Sequence, residues 1–301
     1  MLQQLMLYFH NDFLSGPPRM LDEYKWFETA DGESFGIRKS RLAQNEEELL
    51  QALFAEAASS DRLFLSGVSH KEKSWFHYLT GKADSPPDDL PVRFIHAEFS
   101  ERIEDKPALL EAVAGFMEEA IVIWLSDQSG VIIEKAPSGL LDMESITALS
   151  SSLLSDFFIE PAFFIGQIHE SNPKLREKFQ AERQLFREYP GKLPKGKVIT
   201  FYEACPLFLT GQRYFSVRNA ISDRLLDTLE EEELVSTLNV FFSCNLNVSS
   251  ASKALYMHRN SLQYRIDRFI ERTGIDIKYF TNALAVYLLI IHRENPLPSA
   301  E

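Results

Sequence analysis

Residues 248–274 constrain the fold of this chain most strongly, because their pattern predicts two short helices joined by a tight turn. Ser249 is a good N-cap for the first helix, and small residues follow it at helical spacing. We expect the turn at residues 257–258 and a second helix that begins near Arg259 and stops at Gly274. The apolar residues of the second helix form one stripe with a 3.6-residue period: Leu262, Ile266, Phe269 and Ile270.

The other face of the second helix is polar and carries several arginines. At 100° per residue it presents the following side chains, the last two along one rim: Asn260, Ser261, Tyr264, Arg268, Arg265 and Arg272. A short helix, a tight turn and a second helix with such a face are the pattern of a helix-turn-helix that inserts its second helix into the DNA major groove. Periodicity alone leaves another interpretation open, an amphipathic hairpin that packs internally and leaves its arginines in solvent.

The run SSASKALYMHRNSLQYRIDRFIERTGIDI resembles the C-terminal helix-turn-helix domain of PucR-type transcriptional regulators, a group that includes the carbohydrate diacid regulators. The resemblance lies in the small residues before the turn and in the segments 245–249, 258–261, 264–265 and 273–274. It favours DNA binding over the internally packed hairpin.

This resemblance implies a recognition helix over residues 259–273. Its N-terminal polar side chains, Asn260, Ser261 and Tyr264, are the candidates for contacts with base edges. The candidates for phosphate and groove contacts are Arg259, Arg265, Arg268 and Arg272, with Lys253 near the DNA backbone. We assign His258, in the turn, to capping the recognition helix rather than to reading bases.

The net charge of −13 over 301 residues is unusual for a DNA-binding protein, but the charge is unevenly distributed. Residues 248–293 contain seven Lys and Arg against three Asp and Glu, which gives this end a net charge of +4 and the rest of the chain −17. An acidic body with a basic end would restrict DNA contact to that end and reduce non-specific binding.

Other features of the sequence argue against several classes of protein. The two cysteines, Cys205 and Cys244, lie far apart and outside any CxxC motif, so we expect free thiols in a reducing cytoplasm. We find no histidine spacing typical of a metal site and no nucleotide-binding or nucleophile motif, and we expect no metal and no cofactor. His169 and Glu170 lie between a strand and a helix, and we assign them to cap and turn roles. The longest apolar run is too short to span a membrane.

The first 80 residues predict an N-terminal α/β segment whose role the sequence does not reveal. A short amphipathic helix is expected within residues 1–14, and a hairpin around Asp31-Gly32. Asn45 is a plausible cap for a helix that extends to about residue 58. Residues 81–91, with three prolines and three aspartates, are predicted to form a linker.

Residues 92–212 predict an α/β (α+β) domain in which helices cover a mixed sheet. The expected strands are 92–99, 120–125, 131–134, 162–168 and 197–201, and the expected helices are 106–118, 144–156 and 172–189. This region resembles the degenerate GGDEF-like domain of PucR-type regulators. The hairpin, which we place around Ser129-Gly130, carries Ser-Asp-Gln-Ser-Gly instead of the glycine pair and acids of active cyclases, and we therefore predict that the protein is not an enzyme.

Residues 223–295 predict an all-α C-terminal helix-turn-helix domain, with a capping box from Thr228 to Glu231 before its supporting helix. We expect a cytoplasmic regulator of a metabolic or catabolic operon that binds double-stranded DNA as a homodimer built through the middle domain, with an unidentified small-molecule effector. Two alternatives are a nucleotide-binding or cyclase-like enzyme remnant that uses its helical tail for assembly, and an adaptor that does not bind DNA.

Overall fold

The computed structural model of this chain describes residues 2–15, 24–29, 33–56, 69–103, 105–117, 121–136, 140–189, 196–210 and 214–294. Within them the buried apolar side chains form a cluster in the N-terminal sheet, a cluster around a second sheet, and a cluster that joins the second sheet to the C-terminal helices. The predicted fold class is confirmed, because a mixed sheet covered by helices precedes an all-helical region.

The N-terminal elements are α1 (Leu2–Phe9), β1 (Phe13–Ser15), β2 (Tyr24–Glu28), β3 (Ser34–Arg38), α2 (Gln44–Leu53) and β4 (Ala55–Glu56). The strands form an antiparallel sheet in the order β1-β3-β2-β4. The predicted hairpin is confirmed, with Phe27 opposite Phe35 in β2 and β3. Its expected turn at Asp31-Gly32 lies outside the described residues.

The predicted bounds of α2 are wrong at both ends. The helix begins before Asn45, because the Glu46 carboxylate accepts the backbone N–H of Ala43 at 2.9 Å and closes the first turn from there. It ends at Leu53 instead of about residue 58, because Phe54 is extended and leads into β4.

The middle elements are α3 (His70–Leu79), β5 (Val92–Phe99), α4 (Lys106–Ala114), β6 (Ile121–Ser126), β7 (Ser129–Lys135), α5 (Met143–Phe157), β8 (Pro161–His169), α6 (Leu175–Arg187) and β9 (Val198–Thr200). Their strands follow the order β6-β7-β5-β8-β9, antiparallel except for the parallel pair β8 and β9. The predicted succession of strands and helices is confirmed. Phe163 of β8 faces the layer of α4 and α5, and its neighbour Phe164 faces α6 and stacks on Phe186 with ring centroids 5.7 Å apart.

The hairpin of β6 and β7 turns at Asp127 and Gln128, two residues before the predicted Ser129-Gly130 turn. The hydroxyls of Ser126 and Ser129 lie 2.7 Å apart and close this turn, which places Gly130 inside β7. Asp127, the single acid of the turn, pairs with cations of its own chain, Arg102 at 3.1 Å and Lys106 at 3.3 Å.

Helix α3 was not predicted from the sequence. Ser69 and Glu72 form a capping box at its start, and the helix buries Trp75, Phe76 and Tyr78 in the cluster around the second sheet. The tyrosine hydroxyl of Tyr78 also accepts the backbone N–H of Arg176 in α6 at 3.0 Å. Helix α3 therefore packs with the middle sheet, and the boundaries between the predicted domains stay a proposal.

The C-terminal elements are α7 (Phe201–Thr210), α8 (Tyr214–Ala220), α9 (Asp223–Leu229), α10 (Glu232–Ser243), α11 (Val248–Ala254), α12 (Arg259–Thr273) and α13 (Phe280–Glu294). Helices α7 and α8 were missed by the sequence analysis; α7 packs against both β8 and α13. The predicted capping box is wrong, because Thr228 lies inside α9, where its hydroxyl donates to the carbonyl of Arg224. Glu231 is the N-cap residue of α10 but makes no side-chain cap bond.

A buried polar network joins β8 and α6 to the segment that enters the C-terminal helices. The side-chain amide of Gln167 donates to the carbonyl of Ala220 at 2.8 Å, and its oxygen accepts the backbone N–H of Ser222 at 3.1 Å. The ammonium of Lys178 donates to the carbonyl of Ile221 at 2.6 Å. Because buried polar groups are costly to leave unpaired, these bonds fix residues 220–222 against the middle sheet.

The centre of this network is Glu182 of α6, which is fully buried. Its carboxylate lies 2.9 Å from Nε2 of His169 and 3.4 Å from Nε2 of His96. Burial alone would raise the pKa of Glu182, but its charge interactions and hydrogen bonds with the two histidines lower it to about 2. The cap role predicted for His169 is wrong, because His169 contacts Glu182. Glu170 pairs with Arg224, and its carbonyl accepts the backbone N–H of Asn172 at 3.0 Å in the turn predicted there.

Both cysteines are free, Cys205 buried and Cys244 half-buried, and burial raises the pKa of the Cys205 thiol to about 12. Across the described residues, no group of three or more His, Cys, Asp and Glu side chains is arranged to hold a metal ion. No helix in the same part of the chain is both long enough and apolar enough to cross a membrane.

Candidate nucleic-acid interface

Helices α11 and α12 are joined by a tight turn over residues 255–258. The predicted N-cap of α11 at Ser249 is wrong, because Asn247 caps the helix by accepting the backbone N–H of Ser250 at 3.0 Å. Asn245 and Leu246, just before this cap, both have positive φ angles, of 55° and 60°. These two left-handed residues turn the chain sharply out of α10 and into α11.

Helix α12 has the bounds that the sequence predicts for the recognition helix. His258 caps it, with Nδ1 accepting the backbone N–H of Asn260 at 3.2 Å, which agrees with the capping role assigned to His258. Gly274 ends it with a φ of 73°, a left-handed conformation that favours glycine. Leu262 and Ile266 are completely buried, so the predicted apolar stripe anchors α12 to the helical core.

The opposite face of α12 is open to solvent. The exposed members of the predicted interface are Lys253, Arg259, Asn260, Ser261, Tyr264 and Arg268. Tyr264 has 66% of its surface exposed, and with Arg268 it lines an open groove of about 510 Å³ beside the N-terminus of α10. The packing of α12 thus gathers polar and cationic side chains on one accessible surface, which we call the α12 face.

The two rim arginines are half-buried and paired with acids of α10. Nη2 of Arg265 lies 2.6 Å from Oε1 of Glu233, and its Nη1 donates to the hydroxyl of Thr237 at 3.1 Å. Nη1 of Arg272 lies 2.5 Å from Oε1 of Glu231. The sequence analysis missed these pairs because the partners are 32 and 41 positions apart.

The remaining cations of the predicted interface are differently placed. Lys253, Arg259 and Arg268 are exposed and, within the part of the chain that the structure describes, take part in none of the ion pairs found. Cationic side chains of this kind can bind a phosphate without first breaking an ion pair.

Tyr256 is a surface feature that the sequence analysis did not select. It lies in the turn between α11 and α12, has 98% of its surface exposed and adopts a φ of 52°. A large residue in the left-handed region is uncommon, and this conformation carries the tyrosine side chain into solvent in the turn before α12.

Comparisons with known proteins agree with this geometry. Residues 234–291 match the family described as the PucR C-terminal helix-turn-helix domain. The uncharacterized protein YxkF of Bacillus subtilis is 30% identical over 273 residues, which cover 90% of this chain and 91% of that protein. The DNA-binding transcriptional activator AdeR of Bacillus subtilis is 36% identical over 240 residues, 74% of this chain and 56% of that protein.

A further similarity covers a shorter part of this chain. The carbohydrate diacid regulator of Escherichia coli is 38% identical over 66 residues, which cover 22% of this chain and 17% of that protein. The similar proteins with a described role are regulators rather than enzymes.

Proposed function

Because this chain belongs to the PucR-type DNA-binding transcriptional regulators, we propose that it binds a duplex operator with α12 in the major groove and thereby controls a metabolic or catabolic operon. The observation that carries this proposal is the α12 face, where polar groups and cations without ion-pair partners among the described residues are exposed beside a fully buried apolar stripe. Its direct test is binding of the purified protein to duplex fragments selected from genomic DNA.

In this arrangement the exposed residues divide by the groups they can reach. Asn260, Ser261 and Tyr264 lie in the first two turns of α12 and would contact base edges. Arg259, Arg268 and Lys253 would contact phosphates, which fix the position of the helix but carry little sequence information. The rim arginines, Arg265 and Arg272, could reach phosphates only after leaving their glutamate partners.

We also propose that residues 92–212 form a degenerate GGDEF-like domain that receives the signal of a small-molecule effector. The order of its strands and helices supports this resemblance. The hydrogen bonds of Gln167 and Lys178 to residues 220–222 link this domain directly to the start of the C-terminal helices. Such a regulator would act in the cytoplasm, where its DNA target lies and where free thiols persist.

We expect this domain to have no cyclase activity. Asp127, the one acid of the turn from Ser126 to Gly130, is already paired with Arg102 and Lys106, and this turn lacks the further ligands that magnesium and a nucleoside triphosphate require. Incubation with GTP and Mg²⁺, followed by chromatography, should yield no cyclic dinucleotide from the wild type or from Asp127→Ala. Turnover in the wild type that Asp127→Ala abolishes would contradict the proposal.

We propose that the protein binds DNA as a homodimer formed through the middle domain. Met143 and Leu154 are exposed on the same side of α5, and Phe158 at its end has 83% of its surface exposed. Because the chain carries a net charge of −13, two copies repel each other over most of their surface. An apolar surface of this kind is where a second copy could approach with the least repulsion.

We therefore expect wild-type protein to sediment as a dimer and to protect two half-sites related by a two-fold axis. Phe158→Asp should shift the protein toward monomer and weaken operator binding at low protein concentration. Leu207→Asp is a matched control, because Leu207 is also exposed but lies on α7. Protection of a single asymmetric half-site by the wild type would contradict the dimer.

A further inference from the structure

The rim of the α12 face contains an arrangement that the proposed function does not explain. Arg265 and Arg272 are seven residues apart, about two turns of one helix, and each pairs with a different glutamate at the N-terminus of α10. Glu231 and Glu233, which we call the acidic pair, line the same groove as Tyr264 and Arg268. Two carboxylates therefore lie at the edge of a surface that would otherwise attract phosphates.

The two ion pairs contribute too little to the stability of the fold to explain why these acids lie beside the arginines. The Glu233 side chain has 80% of its surface exposed and the Glu231 side chain 52%, and ion pairs at that exposure contribute little to folding. Acids do favour a helix N-terminus, but Glu232 already provides a negative charge in the same first turn of α10. What distinguishes the acidic pair from Glu232 is its contact with the two arginines.

A carboxylate bound to a guanidinium occupies the donors that a phosphate would use. Random DNA is bound almost entirely through phosphate contacts. On such DNA, Arg265 and Arg272 would gain no binding free energy by exchanging a glutamate carboxylate for a phosphate. On an operator, the base contacts of Asn260 and its neighbours would fix the position of the DNA backbone. The arginines could then transfer to phosphates and leave the exposed glutamates in water at little cost.

From this geometry we propose that Glu231 and Glu233 compete with DNA phosphates for Arg272 and Arg265 and so limit the affinity of the protein for DNA. This inference rests on the proposed function, since it concerns the same DNA interface. The acidic pair acts through the two arginines and would not contact the operator itself. On the operator the wild type must break each ion pair to form the phosphate contact, whereas on random DNA it keeps the pair, so removal of the acids should raise the affinity for the operator at least as much as the affinity for random DNA.

The test uses the full-length protein with Glu233→Gln, a change that keeps a hydrogen-bonding side chain and removes the negative charge. On a random duplex at 0.1 M salt, we expect the affinity to rise about twofold and the salt slope to steepen by about one, the equivalent of one added phosphate contact. On the operator duplex the affinity should rise about three- to fivefold with little change in the salt slope, because the wild type already makes that contact there but must break the ion pair to do so. Glu231→Gln should behave in the same way through Arg272.

The matched control is Glu232→Gln, which changes the net charge equally but lies outside the two ion pairs. An equal gain on random DNA for Glu232→Gln and Glu233→Gln would overturn the inference, because the effect would then be general electrostatics. A salt slope on random DNA that Glu233→Gln leaves unchanged would also overturn it, because the released arginine would then not have reached a phosphate. Failure of the wild type to bind any duplex would instead remove the proposed function, and unchanged thermal unfolding of the variants would show that folding is not the cause.

Discussion

Gly166→Ala is expected to lower the free energy of unfolding by about 3–5 kcal/mol, the cost of disrupting a buried ionic network. A Cβ atom at residue 166 would lie 2.1 Å from Oε2 of Glu182 and 2.6 Å from its Cδ. Glu182 cannot simply move aside, because it is fully buried and its other oxygen accepts the backbone N–H of Gln167 at 2.8 Å. Urea unfolding followed by circular dichroism measures the effect.

Two variants make this prediction specific to the contact between Gly166 and Glu182. Gly115→Ala is the control for glycine replacement, because a Cβ there would come no closer than 3.3 Å to another heavy atom. In the double variant Gly166→Ala with Glu182→Ala, the second change removes the clash. The combined loss should therefore be smaller than the sum of the two single losses. A loss of less than about 1 kcal/mol for Gly166→Ala would show that the network adapts easily.

The parts of this protein that the sequence predicted are those determined by local pattern. The recognition helix was predicted with its bounds because its stripe, its glycine stop and the His258 cap all lie within a short segment. Apart from α3, the strands and helices of the middle region were also predicted, since most of them are apolar or amphipathic runs. Cap positions were less predictable, because neighbouring polar residues such as Asn247 and Ser249 compete for the same backbone N–H groups.

What the sequence did not predict depends on distant contacts. The partners of Arg265 and Arg272 lie in another helix, and the space filled by Glu182 above Gly166 comes from the packing of α6 on β8. Helices α3, α7 and α8 were missed because aromatic-rich segments satisfy strand and helix patterns equally, and Pro206 inside α7 argued against a helix. The aromatic side chains of α3 and α7 join the core only through contact with the sheet.

Asn260→Ala is expected to weaken binding to the operator by about 1–3 kcal/mol and to leave binding to random DNA nearly unchanged. Asn260 is exposed in the first turn of α12, where a side chain can reach base edges, and its loss leaves the apolar stripe intact. Fluorescence anisotropy on both duplexes measures the difference. An equal loss on operator and random DNA would mean that Asn260 contacts phosphate and not a base.

The central claim is that the α12 face binds DNA, and Arg268 tests it more directly than the rim arginines. Arg268 is exposed, and no ion pair of its own is found among the described residues, whereas Arg265 and Arg272 are held by glutamates. Removing Arg268 therefore removes a cation without releasing a competing acid. Lys73→Ala is the matched control, because Lys73 is an exposed cation on α3, outside the C-terminal helices.

The decisive measurement is affinity as a function of salt concentration for the wild type, Arg268→Ala and Lys73→Ala, on an operator selected from genomic DNA and on a random duplex. We predict that Arg268→Ala weakens binding to both duplexes and lowers the salt slope by about one phosphate contact, while Lys73→Ala matches the wild type. Identical curves for the wild type and Arg268→Ala on both duplexes would contradict the account, because the α12 face would then be a solvated surface and not a DNA-binding one.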